Sequence, residues 1–258
     1  MNIIFLGDVF GKSGRKLVLD QIKRLKEVYA CDCFIINGEN LADGKGLTEK
    51  TTKPLFEAGV DIITGGNHLW DRAESLDYIQ KEPRIIKPMN YPATAFGNPY
   101  VTFETEQARL LVLNLVGQVF MPPCDSPLAA METFINQHPE LDYPILVDFH
   151  AESTAEKRAF AQMFDGQISA VLGTHTHVQT ADEEILPDGT GYLTDAGMTG
   201  PHDSVIGIKK HLILQKMTTG MPVRFEVSEL GLQINGVFLQ IDPSSHKTTQ
   251  IQRIRELY

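Results

Sequence analysis

The sequence has few cysteines, no long apolar run and a shortage of positive charge. Its 258 residues include 3 cysteines, and 23 lysines and arginines stand against 33 aspartates and glutamates, for a formal net charge of -10. Three cysteines cannot all pair within one chain, so the sequence predicts reduced thiols and a cytoplasmic protein. The acidic balance argues against binding to duplex DNA, whose phosphates attract a basic surface.

The sequence also predicts neither a membrane-spanning segment nor an export signal. No apolar run approaches the roughly 18 residues that a membrane-spanning helix needs. The N-terminal stretch 1–6 has neither a basic region nor a small-residue cleavage site, so we expect no signal peptide and no membrane partner. We expect a single domain over residues 1–258, because no linker, repeat or low-complexity tract divides the chain.

The first third of the chain alternates short apolar runs with helical patterns. Strands are predicted near 2–6, 34–37 and 60–64. Between them, apolar spacing predicts a helix over 15–29 and a second helix that begins after the cap Thr48. An alternation of strand and helix is typical of a parallel sheet, and the predicted fold class is therefore α/β.

The rest of the chain adds a second group of strands. The predicted strands are 100–104, 110–116, 144–150, 168–172, 191–195, 223–227 and 232–241. The predicted helices are 126–138, with Ser126 as its cap and Pro127 at the first helical position, and 154–164. Within the last strand segment, Asn235-Gly236 flanked by alternating apolar residues is the strongest short signal for a hairpin turn. Two sheets packed between helices are the economical arrangement for these elements.

A His-x-His pair follows the apolar run 168–172. In an extended chain, residues two apart point to the same side, so His175 and His177 are expected to aim both imidazoles at one point beyond the strand. Neutral imidazole is the commonest protein ligand for transition metals. The pair alone is a weak signal, and the other strand ends strengthen it.

Polar residues that could bind a metal follow four other predicted strands. They are Asp8, Glu39 with Asn40, Asn67, and His150. Each has an ordinary alternative, since such residues also form turns, cap helices or lie half-buried. Because the carboxyl ends of parallel strands lie along one edge of a sheet, we expect all seven residues to converge. Seven mixed nitrogen and oxygen ligands suit two ions of Fe, Mn, Zn, Ni or Co better than Ca or Mg, with Glu39 placed to bridge them.

The order of these motifs resembles that of the calcineurin-like metallophosphoesterases. The matching segments are Gly7-Asp8, Gly38-Glu39-Asn40, Gly66-Asn67-His68, His150 and Gly173-Thr174-His175-Thr176-His177. Segments 4–11, 36–40 and 194–200 are similar to the bacterial YmdB-like branch, and the similarity spans residues 2 to about 240. Phe10 in place of the histidine of an Asp-x-His motif, and Glu39 in place of a bridging aspartate, are departures typical of that branch.

The resemblance implies a fold, a set of ligands and a reaction. The implied fold is a four-layer α/β/β/α sandwich of two mixed sheets. The implied cofactors are two divalent or trivalent transition-metal ions, iron or manganese ahead of zinc, nickel or cobalt. By position, one ion would take Asp8, Glu39, Asn40 and His177, and the other would take Glu39, Asn67, His150 and His175.

Phosphodiester hydrolysis is the implied chemistry. Two ions about 3.5–4 Å apart clamp phosphoryl oxygens and lower the pKa of a bridging water, which attacks phosphorus. His68 follows a ligand directly and is expected to act as the general acid, while a structural contact to Asp71 is its alternative. Asp148 and Asp195 are expected to orient metal-binding histidines.

Cyclic nucleotides with 2′,3′- or 3′,5′-phosphates are the implied substrates, with RNA ends and a homo-oligomer as further expectations. A phosphomonoesterase remains an alternative, because the same metals support that reaction. A regulatory or scaffold protein with a structural metal site is another. An amidohydrolase-type enzyme is disfavoured, since those enzymes place His-x-His on an early strand rather than near residue 175.

Overall fold

Two mixed sheets form the centre of the structure, a computed structural model that describes residues 1–106 and 108–258. The strands of the first sheet are β1 (Asn2–Leu6), β2 (Cys33–Asn37), β3 (Ile62–Thr64), β4 (Ile85–Ile86), β11 (Gly200–Pro201), β12 (Leu232–Ile241) and β13 (Thr248–Leu257). Their order is β11-β12-β1-β2-β3-β4, with β13 paired to β12. Strands β1 to β4 run parallel, and β12 runs antiparallel to β1 and β13.

The second sheet has parallel strands at its centre and antiparallel strands at its edges. Its strands are β5 (Tyr100–Glu104), β6 (Arg109–Val116), β7 (Ile145–His150), β8 (Ala170–Thr174), β9 (Glu184–Ile185) and β10 (Gly191–Leu193). Their order is β5-β6-β7-β8-β10-β9. The four central strands are parallel to one another, whereas β5 and β9 are antiparallel edges.

Helices cover the outer faces of both sheets. The α-helices of the described residues are α1 (Gly11–Val28), α2 (Glu49–Ala58), α3 (Leu76–Lys81), α4 (Pro127–Gln137), α5 (Thr154–Met163) and α6 (Lys210–Thr219), of which α6 buries no residue. Alternation along β1 shows the layering, because Ile4 and Leu6 pack with α1 and α2, while Ile3 and Phe5 pack against the second sheet. The outer face of the second sheet packs on Phe134 of α4 and other helical residues. The predicted α/β sandwich of two mixed sheets is confirmed.

Local signals at the helix ends agree with the sequence prediction. Thr48 caps α2, since its hydroxyl accepts from the Thr51 N–H at 3.3 Å and its own N–H donates to the Thr51 hydroxyl at 2.9 Å. Ser126 accepts from the Ala129 N–H at 3.3 Å, and Pro127 occupies the first turn of α4. These caps depend on neighbours in the chain, which is why the sequence pattern predicts them.

The predicted hairpin turn at Asn235-Gly236 is wrong. Both residues lie inside β12, which continues through them and pairs with β1 on one side and β13 on the other. Glycine is needed there because a Cβ on Gly236 would collide with the carbonyl oxygen of Phe5. The chain turns instead at 242–247, where Asp242 accepts from the Ser244 N–H at 2.9 Å.

The segment between β11 and β12 also differs from the prediction. Residues 223–227 contribute only a single bridge, between Val227 and Ile208, rather than a strand. The helix α6, which the apolar pattern does not predict, precedes them. None of residues 210–219, all of which are described, is buried, so this helix packs no apolar face on the core.

No helix in the described part of the chain combines the length and apolar character needed to cross a membrane. A single domain over residues 1–258 stays a prediction.

Candidate metal centre

The seven residues expected as metal ligands come together where strands of both sheets end. Asp8, Glu39, Asn40 and Asn67 follow β1, β2 and β3 of the first sheet, whereas His150 ends β7 and the pair His175 and His177 follows β8. The prediction had placed them along the edge of one parallel sheet. In the structure, one sheet supplies the carboxylates and amides, and the other supplies the imidazoles.

The tightest group of ligand atoms is formed by Glu39, His150 and His175, whose ligand atoms all lie within 4.8 Å of one another. Nε2 of His150 lies 3.2 Å from Oε1 of Glu39 and 3.1 Å from Oδ1 of Asn67. It also lies 3.1 Å from Nδ1 of His175. One ring nitrogen carries at most one proton and cannot satisfy three such neighbours, whereas a cation between them would.

A second group lies around Asp8. Nε2 of His177 is 3.2 Å from Oδ1 of Asn40 and 3.8 Å from Oδ1 of Asp8. Asp8 is fully buried, and this Oδ1 has no hydrogen-bond partner within the described residues. The Asn40 amide nitrogen donates to the carbonyl of Gly44 at 3.0 Å, which turns its oxygen toward His177. A buried unpaired carboxylate oxygen is costly, so this donor set also fits a cation.

The pKa values of the carboxylates at this site depend on burial and on nearby charges. Burial raises the pKa of Asp8, and the neighbouring charge of Glu39 acts in the same direction. Burial alone would raise the pKa of Glu39 too, but the charge and hydrogen bond of His150 hold it at about 2. In return, Glu39 holds the pKa of His150 at about 9 despite its burial. Burial and the charge of His150 lower the pKa of His175 to about 3, which favours a neutral imidazole there.

The two histidines of the His-x-His pair point to different places. Strand β8 ends at Thr174, and both histidines adopt left-handed backbone conformations, with φ of 100° at His175 and 63° at His177. The prediction of an extended chain that aims both rings at one point is therefore wrong. His175 faces His150, and His177 faces Asn40, so a turn centred on Thr176 supplies one imidazole to each group.

Asp195 and the buried Lys157 hold this turn in place. The N–H and the hydroxyl of Thr176 donate to Oδ2 of Asp195 at 3.1 and 2.9 Å. Nζ of Lys157 donates to the same oxygen at 2.8 Å and to the carbonyl of Thr174 at 2.8 Å. Burial acts to raise the pKa of Asp195, but Lys157 and the backbone N–H groups of Gly197 and Thr176 together lower it below its ordinary value. Asp195 thus acts on the histidines through Thr176.

Asp148 orients His150 through an intervening hydroxyl. Nδ1 of His150 lies 2.8 Å from the hydroxyl of Thr174, which donates to Oδ1 of Asp148 at 2.7 Å. The other carboxylate oxygen accepts from Thr64 and, at 2.9 Å, from Asn37. Burial raises the pKa of Asp148 to about 6. This chain of hydrogen bonds directs Nε2 of His150 into the ligand group.

Glu152 is a site residue that the sequence analysis missed. Its Oε2 lies 3.3 Å from Nε2 of His175, on the ring edge opposite the contact with His150. A carboxylate that accepts from Nε2 leaves Nδ1 of His175 for a metal. The His150-x-Glu152 spacing after a strand was the available signal. Lys157 and Thr174 were missed as well, because their roles depend on contacts remote in sequence.

His68 lies beside the ligand groups. Its backbone N–H donates to Oε2 of Glu39 at 2.9 Å, and its ring Nδ1 is 2.8 Å from Oδ2 of Asp71. The contact to Asp71 therefore exists, and it leaves Nε2 of the ring available. The ring lines a cleft of about 590 Å³ whose lining also includes Glu39, Asn40, His175 and His177.

Phe10 packs against His177 where the broader superfamily usually has a histidine. The two ring centroids are 5.4 Å apart in an edge-to-face arrangement. Nδ1 of His177 is 3.2 Å from the carbonyl oxygen of Ile206. Packing and this hydrogen bond together direct Nε2 of His177 toward Asn40.

A comparison with protein families matches residues 4–254 to the model described as "YmdB-like protein". The chain belongs to the YmdB-like family. Its relatives in this family include the 2′,3′-cyclic-nucleotide 2′-phosphodiesterase of Bacillus subtilis (strain 168), which is 44% identical over 254 residues, or 98% of this chain and 96% of that protein. The resemblance inferred from the motifs is confirmed.

Solved structures of two relatives share the fold of this YmdB-like chain. A hypothetical protein from Thermus thermophilus superposes with a TM-score of 0.93 at 36% identity, over 100% of this chain and 99% of that one. A crystal structure named as a novel phosphatase of Mycoplasma pneumoniae gives a TM-score of 0.94 at 38% identity, over 100% of this chain and 93% of that one.

Proposed function

We propose that this YmdB-like protein is a two-metal phosphodiesterase that hydrolyses cyclic nucleotides, with 2′,3′-cyclic phosphates as the first candidates and 3′,5′-cyclic phosphates as the second. The observation that carries the proposal is the pair of ligand groups, one around His150 and one around Asp8, at a single cleft that His68 also lines. The 2′,3′ assignment is supported by the name of the Bacillus subtilis relative.

The prediction of a hydrolase that acts on phosphoesters is confirmed, since the relatives are named as a phosphodiesterase and a phosphatase. Cytoplasmic location, RNA ends as substrates and a homo-oligomer stay predictions.

In this proposal Asp8, Asn40 and His177 would hold one ion, Asn67, His150 and His175 would hold the other, and Glu39 would be shared by both. We propose that the two ions are iron or manganese, since imidazole with carboxylate and amide oxygen suits these metals. When bound, two such ions neutralise charge on the phosphoryl oxygens and lower the pKa of the attacking water. The buried position of Asp8 and Glu39 keeps bulk water from screening that interaction.

His68 supplies a proton in this scheme. Its Nε2 would donate to the leaving ribose oxygen, while Asp71 accepts from Nδ1 and fixes the orientation of the ring. The bond from the His68 N–H to Glu39 ties the backbone of this residue to the ligand group. The alternative of a regulatory protein with a structural metal would need no such ring beside an accessible cleft.

A phosphomonoesterase is the second candidate function, favoured by the similarity to the Mycoplasma pneumoniae structure named as a phosphatase. The same two groups of ligands would serve that reaction. The choice depends on whether the phosphate carries one ester bond or two, which the set of ligand residues does not decide.

The test compares substrates on one metal-loaded preparation. The protein is purified without chelator, its metal content is measured, and it is then stripped and reloaded with Mn²⁺ or Fe²⁺. We expect kcat/KM for adenosine 2′,3′-cyclic phosphate to exceed that for the 3′-monophosphate by about tenfold or more, a difference of about 1.4 kcal/mol in transition-state binding. Equal or faster turnover of the monoester would replace the proposal with the phosphatase.

A further inference from the structure

The cleft at the metal centre has one polar wall and one apolar wall. Beside the ligand residues, the apolar wall consists of Phe10, Ile206, Ile208, Ile213 and Phe225. Four of these five residues come from the segment between β11 and β12. Attack on a phosphate needs charged and polar groups, so the metal chemistry does not account for the apolar wall.

Ile206 shows that this wall is maintained against an energetic cost. Its backbone lies in the left-handed region, with φ of 46°, which is strongly disfavoured for a β-branched residue. Its side chain is also 56% exposed, although isoleucine is normally buried. The same residue accepts the hydrogen bond from Nδ1 of His177, so the strained turn both orients a proposed ligand and presents an apolar side chain beside it.

Phe225 lies on the same wall with a lysine over one face of its ring. It is 41% exposed, and Nζ of Lys216 lies 4.9 Å from the centroid of the ring. A cation over one face of an aromatic ring leaves the opposite face for stacking.

We propose that Phe225 and Ile206 bind the nucleobase of the substrate while the metal ligands bind its cyclic phosphate. The inference rests on the proposed function, because a cyclic nucleotide carries both a planar base and the phosphodiester that the metal ligands would bind. The cleft volume of about 590 Å³ lies within the range of small-molecule sites. Stacking and apolar contact favour the larger ring system, so purine substrates bind more tightly than pyrimidine ones.

The experiment measures one ratio: kcat/KM for adenosine 2′,3′-cyclic phosphate divided by kcat/KM for the base-free 2′,3′-cyclic phosphate of methyl ribofuranoside. We expect the wild-type ratio to lie well above one. Phe225→Ala should lower it by about 5- to 150-fold, the range that base stacking contributes by alanine substitution. Ile206→Asn, which tolerates a left-handed backbone, should lower the same ratio.

Two matched variants separate base binding from other effects. Phe225→Tyr keeps the aromatic face and should keep the ratio within about threefold. Phe120→Ala removes another exposed aromatic ring, one that is 91% exposed and lies outside the residues that line the cleft, and should leave the ratio unchanged. Free adenosine should inhibit hydrolysis of the base-free substrate in the wild type and more weakly in Phe225→Ala.

The outcomes that overturn the inference differ from those that overturn the proposed function. If the wild type hydrolyses both cyclic phosphates with equal kcat/KM, or if Phe225→Ala leaves the ratio unchanged, base binding is wrong and the phosphodiesterase stands. If the wild type hydrolyses neither, both proposals fail together. If Phe225→Ala converts an oligomer into monomers by sedimentation and the ratio is unchanged, the wall is instead an interface between copies of the chain.

Discussion

Nε2 of His150 lies 3.1 Å from Nδ1 of His175, so two neighbouring imidazoles face each other through different ring nitrogens. The difference follows from what holds the far side of each ring. Nδ1 of His150 is held by Thr174, whereas Nε2 of His175 is held by Glu152. Each ring therefore presents its remaining nitrogen to the space that Glu39 also faces.

The first prediction concerns metal content. We expect two transition-metal ions per chain, because the ligand atoms form two groups and a single ion cannot use them all. His150→Ala and His175→Ala should each lose one ion, and Asp8→Ala and His177→Ala should lose the other. Activity should fall by at least about 100-fold in each case, since Lewis-acid stabilisation is worth several kcal/mol.

Elemental analysis of the four variants, purified in parallel without chelator, checks this assignment. Treatment of the wild type with EDTA should abolish activity, and added Mn²⁺ should restore it. One ion per chain in the wild type after saturation with Mn²⁺ or Fe²⁺ would refute the two-ion assignment.

The second prediction concerns Glu152. If its carboxylate holds Nε2 of His175, Glu152→Ala should weaken metal binding at the His150 group by about 10- to 100-fold, the usual effect of removing a group that orients a ligand. Glu152→Gln retains an oxygen that can accept the same hydrogen bond and should bind metal nearly as tightly as the wild type. Titration with Mn²⁺ after chelator treatment measures both affinities. Equal weakening in the two variants would show that the charge of Glu152, rather than its orientation of His175, is what counts.

The third prediction concerns His68. As the proton donor, it should contribute about 10²- to 10⁴-fold to the rate with a ribose leaving group. His68→Ala should keep its metal content, because the ring is not a proposed ligand. The loss of rate in His68→Ala should be smaller for a nitrophenyl ester, because its leaving group departs without a proton.

Rates on both esters, for the wild type and for His68→Ala, decide the role of this ring. Asp71→Asn serves as the companion variant and should show a smaller loss in the same direction, since Asp71 orients the ring. An equal loss on both esters would assign His68 to phosphate binding instead.

The fourth prediction concerns the buried pair of Lys157 and Asp195. Lys157→Met leaves Asp195 buried without its partner and should lower the free energy of unfolding by about 3–5 kcal/mol. The double variant with Asp195→Asn should recover part of this loss, because the uncompensated charge is gone. Urea unfolding monitored by circular dichroism gives the three values. If Lys157→Met is as stable as the wild type, the pair does not contribute to the free energy of unfolding.

The contribution of this pair to the stability of the fold should decrease at acidic pH. The pKa of Asp195 is lower in the folded protein than its ordinary value, so the folded state favours the ionised carboxylate. Its stabilising contribution is fully present above the unfolded pKa of about 3.9 and is lost as the pH falls through the folded pKa. The Asp195→Asn protein should therefore lose less stability than the wild type on acidification below about pH 4.

The sequence alone determined those features that depend on neighbouring residues. Apolar runs ended by polar residues marked the strands that lead to Asp8, Glu39 and His150, and the caps at Thr48 and Ser126 marked the starts of helices. Periodicity and capping act over a few residues, so a single sequence contains them. The order of the motifs then indicated the YmdB-like family.

Tertiary structure decided what each of these residues contacts. Asn235-Gly236 has the composition of a hairpin turn, yet pairing with β1 and β13 on both sides makes it part of a strand. His175 and His177 were expected to share one target, but the bonds from Thr176 to Asp195 bend the chain and separate them. Interactions between separate segments of the chain leave no local periodicity, and only the pairing of β7 with β8 and the packing of α5 beside them bring Glu152 and Lys157 into the site.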